Sequence, residues 1–146
     1  MVVAIITGPN GQDGIYIKQF LETKGYDIKL YNNDIIDIEC FHKTLECYKN
    51  YNGIIEIYNL AAKVDVGINL NNNLDVYKVN SEGILVILET VKKLNMIEKC
   101  RIFQASSAEV FDKDNSDIHK SEKSLRNPKT IYGISKYSAD LIVKLY

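Results

Sequence analysis

The segment Thr7-Gly8-Pro9-Asn10-Gly11-Gln12-Asp13-Gly14 decides how the chain is read. It follows the apolar run Val2-Val3-Ala4-Ile5-Ile6 and precedes Ile15, Ile17, Phe20 and Leu21, which recur at helical spacing. That is a strand, a glycine turn and a helix. The spacing G-x-x-G-x-x-G gives each glycine a physical task. One makes a tight turn with positive φ, one lets a pyrophosphate approach, and one lets the helix lie close on the strand. The phosphate would rest on the free N–H groups and positive dipole end of that helix.

Outward from this unit, the first helix runs from about Gln12 to Lys24 and stops at Gly25, a C′ residue, before a second strand over Asp27 to Tyr31. Asn32-Asn33-Asp34 is turn chemistry. Ile38, Phe41, Leu45 and Tyr48 then predict a helix over about 37–50. Ile54 to Leu60, opened by Gly53, is a near-continuous apolar run of the kind parallel central strands carry. A loop with Asn69 and Asn71-Asn72-Asn73 leads to a long helix, about 73–95, with Val79, Val86, Leu88 and Val91 toward a sheet. Arg101 to Ala105 reads as a further buried strand ending in Ser106-Ser107. A polar loop to about Lys129 follows, then a helix from Tyr132 still running at Tyr146. The alternation predicts an α/β fold, a doubly wound, mostly parallel sheet with helices on both faces, as one domain over 1–146.

Composition narrows the function classes. The chain has 146 residues, enough for one buried core, and a formal charge of -1, which disfavours nucleic acid as a partner. Three cysteines, Cys40, Cys47 and Cys100, are odd in number and lack C-x-x-C spacing, so they read as core thiols of a reducing compartment, the cytoplasm. No apolar run approaches the ~20 residues of a membrane span, and His42 and His119 offer no metal constellation. No membrane contact and no metal are expected.

In a doubly wound sheet, ligands bind beyond the carboxyl ends of the strands. Here those ends carry Thr7-Gly8, Asn59-Leu60-Ala61-Ala62 and Ala105-Ser106-Ser107-Ala108-Glu109. Downstream, Tyr132 and Lys136 stand four apart on one helix face. A lysine ammonium near a tyrosine hydroxyl favours the phenolate and makes it a better general base. A strand-end serine could then bond the oxygen being oxidised. Tyr-x-x-x-Lys alone is a common chance pattern, and the order of glycine turn, strand-end serine and Tyr/Lys pair gives it weight.

With these motifs the chain resembles the extended short-chain dehydrogenase/reductases, in their nucleotide-sugar branch, and within it the GDP-mannose 4,6-dehydratase family. The carrying stretches are Ile6-Thr7-Gly8 with Gly11-Gln12-Asp13-Gly14, Glu56 to Ala62, Phe103 to Glu109, and Pro128 with Tyr132-Gly133 and Lys136. The resemblance implies a Rossmann-type NAD(P)-binding fold. It also implies NADP taking a hydride from the hexose C4 of GDP-mannose or a related sugar nucleotide, loss of water across C5 and C6, and hydride return to C6.

By position, the resemblance makes Tyr132 the base for the C4 hydroxyl, Lys136 the group that lowers its pKa and holds the nicotinamide ribose, Ser107 the donor to the C4 oxygen, and Glu109 the acid/base for the C5 proton and leaving water. Cofactor contacts would come from Gly8, Gly11, Gln12, Asp13, Gly14, Asp34, Ile35, Leu60, Ala61 and Ala62, with Tyr132 and Lys136. Asp34-Ile35 would meet the adenine.

Departures from the family pattern carry information too. Ala108 replaces an Asp of the dTDP- and UDP-glucose dehydratases, and Lys63-Val64 and Phe111-Asp112 replace expected substrate contacts. The connection between Gly25 and Asp34 is short, and no Asp, Glu or Arg ends the second strand, so NAD and NADP both stay open. Ala61-Ala62-Lys63-Val64 looks more like GDP-fucose synthase, which keeps an epimerase/reductase as the alternative. The family's C-terminal substrate domain has no counterpart in these residues, since 146 falls within the Tyr/Lys helix. A non-catalytic nucleotide-binding or dimerising remnant is therefore a second alternative. The family also implies a homodimer through the helices at 73–95 and 131–146.

Overall fold

The computed structural model describes residues 2–32, 35–64, 73–112 and 119–146. Asp34, the loop through Asn69, Asn71 and Asn72, and part of the polar loop before Lys129 lie outside them. Four strands, β1 (Val3–Thr7), β2 (Asp27–Tyr31), β3 (Ile55–Asn59) and β4 (Cys100–Gln104), form one parallel sheet in the order β2-β1-β3-β4. Between them run helices α1 (Gln12–Thr23), α2 (Ile38–Glu46), α3 (Asn73–Tyr77) and α4 (Gly83–Lys93). A 3₁₀ turn (Ala108–Val110) and α5 (Ile131–Leu145) follow β4. The doubly wound α/β architecture read from the apolar runs is the one observed.

Alternation along β1 explains the two layers. Val3 and Ile5 point into the larger core with Phe41, Leu45, Ile55, Ile57, Ile84 and Ile87, beneath α2, α4 and α5. Ala4 and Ile6 point the other way, onto Leu21 and Ile17 of α1. This second layer is thinner, because α1 covers β1 and β2. β3 is a central parallel strand between β1 and β4, as the apolar run Ile54 to Leu60 suggested. Ile55, Ile57 and Asn59 are buried, while Glu56 and Tyr58 are half-buried on the α1 side. There the Tyr58 hydroxyl donates to Glu56 Oε2 at 2.7 Å, and burial together with that carboxylate pushes its pKa up.

Helix boundaries follow local chemistry. Gly11 opens α1, and Gly25 at φ +73° closes it, with Tyr26 N–H donating to Leu21 O and Gly25 N–H to Glu22 O. Asp37 caps α2 through the N–H groups of Glu39 and Cys40. α2 is shorter than the periodicity predicts: after Glu46 the backbone tightens into i→i+3 turns, with Tyr48 N–H on Leu45 O and Tyr51 N–H on Tyr48 O. The long helix expected over 73–95 is interrupted by a π-helical turn, Lys78–Glu82, between α3 and α4. That turn faces Asn80 and Ser81 inward, and both are buried. The helix expected from Tyr132 begins one residue earlier, after Thr130, whose hydroxyl accepts from Gly133 N–H at 2.9 Å.

Candidate functional site

The strand order turns around β1, which has β2 on one side and β3 on the other. Loops leaving adjacent strands in opposite directions open a crevice at the carboxyl edge. A cleft of about 500 Å³ lies there, lined among others by Gly8, Gly11, Ile35, Leu60, Ala61 and Ala62. Lys63 and Asp75 also line it and form an ion pair at 3.0 Å.

The three glycines of the turn meet different surroundings. Gly8 has φ +64°, and a Cβ there would lie 2.7 Å from Ala61 N and 2.9 Å from Leu60 C, so the turn presses against the backbone leaving β3. A Cβ on Gly14 would lie 2.4 Å from Gly8 O and 2.7 Å from Pro9 Cα. The first turn of α1 thus sits on the glycine turn itself, where the sequence suggested close approach to the strand. At Gly11 the nearest atom to such a Cβ is Gly8 O at 3.4 Å, an ordinary contact, and the residue borders the cleft. Its missing side chain leaves room for a ligand, and no side chain caps the N-terminus of α1.

Thr7, Asn59 and Gln104 are the last residues of β1, β3 and β4, and the register places them side by side: Thr7 opposite Asn59, Asn59 opposite Gln104. The Thr7 hydroxyl accepts from the N–H groups of Leu60 and Ala61 at 3.2 and 3.1 Å and donates to Asn59 Oδ1 at 2.6 Å. Asn59 Nδ2 donates to Gln104 Oε1 at 2.6 Å, and Gln104 Nε2 to the Ala105 carbonyl at 2.9 Å. That carbonyl also receives the Lys136 ammonium at 3.0 Å. Burial holds the Lys136 pKa below the ordinary lysine value, partly opposed by the nearby Asp140 carboxylate.

A second, open hollow of about 750 Å³ lies between β4 and α5 and is lined by Gln104, Ser106, Ser107, Arg126 and Asp140, among others. Ser107 starts the 3₁₀ turn, its Oγ accepting from Glu109 N–H at 3.2 Å, which leaves its hydroxyl proton to donate elsewhere. Asp140 Oδ2 accepts from Arg126 at 2.9 Å and from Ser106 Oγ at 2.8 Å. The turn carrying Glu109 lies directly on α5: a Cβ on Gly133 would be 2.5 Å from Glu109 O and 2.9 Å from Pro128 Cβ. From the π-helical turn, Asn80 holds Lys63 by both its N–H and its carbonyl and donates to Ser135 Oγ at 3.0 Å, and Ser81 Oγ donates to Ser135 O at 2.9 Å.

The residues singled out from sequence therefore fall into two groups. Gly8, Gly11, Ile35, Leu60, Ala61 and Ala62 line the cleft, and Gly14 is buried beneath the glycine turn. Gln12 and Asp13 are exposed on the first turn of α1 and do not line it, while Asp34 lies outside the described residues. Ser107, Glu109, Tyr132 and Lys136 gather around α5, Tyr132 half-buried one turn before the buried Lys136. Sequence reading assigned no role to Thr7, Asn59, Gln104, Asn80 or Ser135. The signal for the first three was a polar residue closing each of three apolar runs. Among the described residues, no group of His, Cys, Asp and Glu could hold a metal ion, and no helix is long and apolar enough to cross a membrane.

The GDP-mannose 4,6 dehydratase family model matches residues 27–146. The chain belongs to that family. The matched range contains Ser107, Glu109, Tyr132 and Lys136. Alignment with the human GDP-mannose 4,6 dehydratase also takes in the glycine turn, at 30% identity over 97% of this chain and 45% of the relative. That alignment spans 171 positions against a chain of 146, so the relative carries residues that this chain lacks.

Among solved structures, a dTDP-4-dehydrorhamnose reductase from Clostridium acetobutylicum superposes with a TM-score of 0.82 at 26% identity, covering 99% of this chain and 49% of that one. The Bacillus anthracis dTDP-4-dehydrorhamnose reductase in complex with NADP superposes at 0.76 and 24% identity, with 98% and 49% covered. This member of the dehydratase family spans about half the length of the curated relatives it matches.

Proposed function

We propose that the cleft at the β1–β3 switch binds NADP, with NAD as the competing dinucleotide, and that the chain contributes this site to the dehydration of GDP-mannose or a related sugar nucleotide. Gly11, bare toward the cleft, and the uncapped start of α1 fit a pyrophosphate. Leu60, Ala61 and Ala62 would hold the cofactor from the β3 side, and Ile35 would lie against the adenine. The bound nicotinamide supplies the hydride acceptor for C4 and the hydride donor for C6.

The observation that carries the reading is the buried Lys136 ammonium, one turn after Tyr132. Tyr132, as general base, takes the C4 hydroxyl proton. Ser107 donates to the C4 oxygen and so stabilises the charge that builds there. Glu109 removes the C5 proton and passes a proton to the leaving C6 hydroxyl as water departs.

An epimerase or reductase of the same branch is the second reading, favoured by the reductase among the structural relatives at 26% identity. A nucleotide-binding module without turnover is the third, favoured by the separation of the cleft from the open hollow that holds Ser107. The three cysteines, none of them in a disulfide, fit a reducing, cytoplasmic setting. Exposed Leu85, Ile134 and Leu141 on α4 and α5 support a homodimer through those helices.

The test is a thermal-shift titration of the chain with NADP⁺, NAD⁺ and GDP-mannose. A dinucleotide at a hundred times its Kd adds about 2.7 kcal/mol to stability, or roughly 8 °C for a chain of this size. Formation of a 4-keto-6-deoxy sugar nucleotide then separates dehydration from the other readings. A melting point indifferent to every nucleotide overturns the cofactor site.

A further inference from the structure

We propose that Gln104 is the positioning residue for Lys136: it holds the Ala105 carbonyl on which the ammonium rests and ties that carbonyl to the floor of the glycine-turn cleft. The direction of this chain of bonds is set at one end and has no alternative. The N–H groups of Leu60 and Ala61 can only donate, so the Thr7 hydroxyl accepts both and gives its one proton to Asn59 Oδ1. Asn59 must then present Nδ2 to Gln104, which must accept through Oε1 and donate through Nε2 to the Ala105 carbonyl. A flipped amide anywhere would set donor against donor or acceptor against acceptor. The backbone that lines the cleft thus dictates which way Gln104 faces, 45 residues from Asn59 and 32 from Lys136 in sequence.

The consequence lies at the last link. Ala105 is the first residue past β4: its N–H still donates to the Asn59 carbonyl at 3.2 Å, while its own carbonyl turns to side-chain donors. Two donors hold that carbonyl, Gln104 Nε2 at 2.9 Å and Lys136 Nζ at 3.0 Å. An ammonium has three N–H donors, and fixing one on a rigid carbonyl aims the other two. The same carbonyl begins the Ala105–Ser107 segment that carries Ser106 and Ser107, so the amide that aims Lys136 also sets the start of the serine turn. Packing alone does not ask for a glutamine here: an apolar residue would fill the volume but would leave Asn59 Nδ2 without an acceptor.

The proposal rests on the dinucleotide reading, and its test separates the two. Gln104→Glu keeps the size and the acceptor for Asn59 but loses the donor to Ala105, and Gln104→Met loses both without adding charge. Calorimetry on the full chain measures the affinity for NADP⁺ and for adenosine 2′,5′-bisphosphate, which has the adenosine end and no nicotinamide ribose. Both variants should weaken NADP⁺ about tenfold and leave the bisphosphate within about twofold.

In a Lys136→Met background, either Gln104 variant should add nothing, because its effect passes through the lysine. Equal losses for both ligands, or additive losses in the double variants, overturn the proposal. If the unsubstituted chain binds no dinucleotide, the dinucleotide reading fails. The proposal is then decided without ligand, on the Lys136 side-chain NMR resonances, assigned by their disappearance in Lys136→Met. They should move in Gln104→Met while those of the other lysines stay, and unmoved Lys136 resonances overturn the proposal.

Discussion

Replacing Gly8 by alanine should cost more than replacing Gly25, although both glycines have nearly the same backbone conformation, φ +64° and +73°. An alanine in the left-handed region costs about 1–2 kcal/mol at either place. At Gly25 nothing lies within 4 Å of the added Cβ, so this strain is the whole cost. At Gly8 the methyl would lie 2.7–2.9 Å from backbone atoms of Leu60 and Ala61, which are anchored to Thr7 and cannot swing aside as a side chain could. Overpacking of that kind adds about 1–3 kcal/mol, for a total of about 2–5 kcal/mol. At about 3 °C per kcal/mol, Gly25→Ala should lower the melting temperature by roughly 3–6 °C and Gly8→Ala by roughly 6–15 °C.

Gly11→Ala completes the comparison. Its φ of -74° suits alanine and its nearest contact is 3.4 Å, so stability should stay within about 1 kcal/mol. Dinucleotide affinity should nevertheless fall at least about tenfold, because the methyl enters the cleft. Calorimetric melting of the three variants with and without NADP⁺ reads all of this at once. If Gly8→Ala melts no lower than Gly25→Ala, the tight approach of the turn to the β3 backbone is refuted. If Gly11→Ala destabilises as much as Gly8→Ala, the division of labour among the glycines is wrong.

Thr7→Val removes the hydroxyl that serves two N–H groups and Asn59 Oδ1, and should cost about 2–3 kcal/mol in urea melts. Thr7→Ser should recover most of that cost. Lys136→Met should raise stability at neutral pH, since burial depresses the lysine pKa and Gln104 remains to satisfy Ala105. The sign follows from proton binding: between the depressed native pKa and the ordinary value of 10.5 the unfolded chain holds more protons, so unsubstituted stability climbs with pH. The advantage of the methionine should therefore shrink from pH 7 toward pH 10, and melts that show it constant would contradict the burial effect. Asp140→Asn breaks the Arg126 ion pair, both partners being mostly buried, and should cost about 1–3 kcal/mol. It should also raise proteolytic nicking near Ser121–Arg126, readable by limited trypsin digestion.

The parts of the fold that were legible in sequence are those set by local chemistry. Apolar runs and the polar or glycine residues that stop them placed every strand within a residue or so of its observed limits, because a buried parallel strand needs little more than its run and its stops. Gly25 announced the end of α1 because few other residues accept its φ. The early end of α2 was hidden, since Tyr48 keeps the helical period while the backbone has already tightened into i→i+3 turns. The half-open face of β3 was hidden because coverage depends on which helix lies overhead, and Glu56 and Tyr58 look like any strand residues. For the site, the motifs named Gly8, Gly11, Ile35, Leu60, Ala61 and Ala62 of the cleft lining and, on or beside α5, Ser107, Glu109, Tyr132 and Lys136. They were silent about what joins the two groups. Thr7, Asn59 and Gln104 are 52 and 45 residues apart, and only strand order and register bring their side chains together.

The π-helical turn at Lys78–Glu82 amounts to one residue more than a regular helix would use over the same rise. Each residue of an α-helix turns the chain by about 100°, so deleting Lys78, which is exposed, would let α3 and α4 merge into one better hydrogen-bonded rod. The merged rod could not keep both its ends where they are. Either α3 would rotate off α5, or Asn80 would swing away from Lys63 and Ser135. The chain carries a less regular helix at this point, and in exchange one asparagine grips the loop that leaves β3 and the helix that bears Lys136 at the same time.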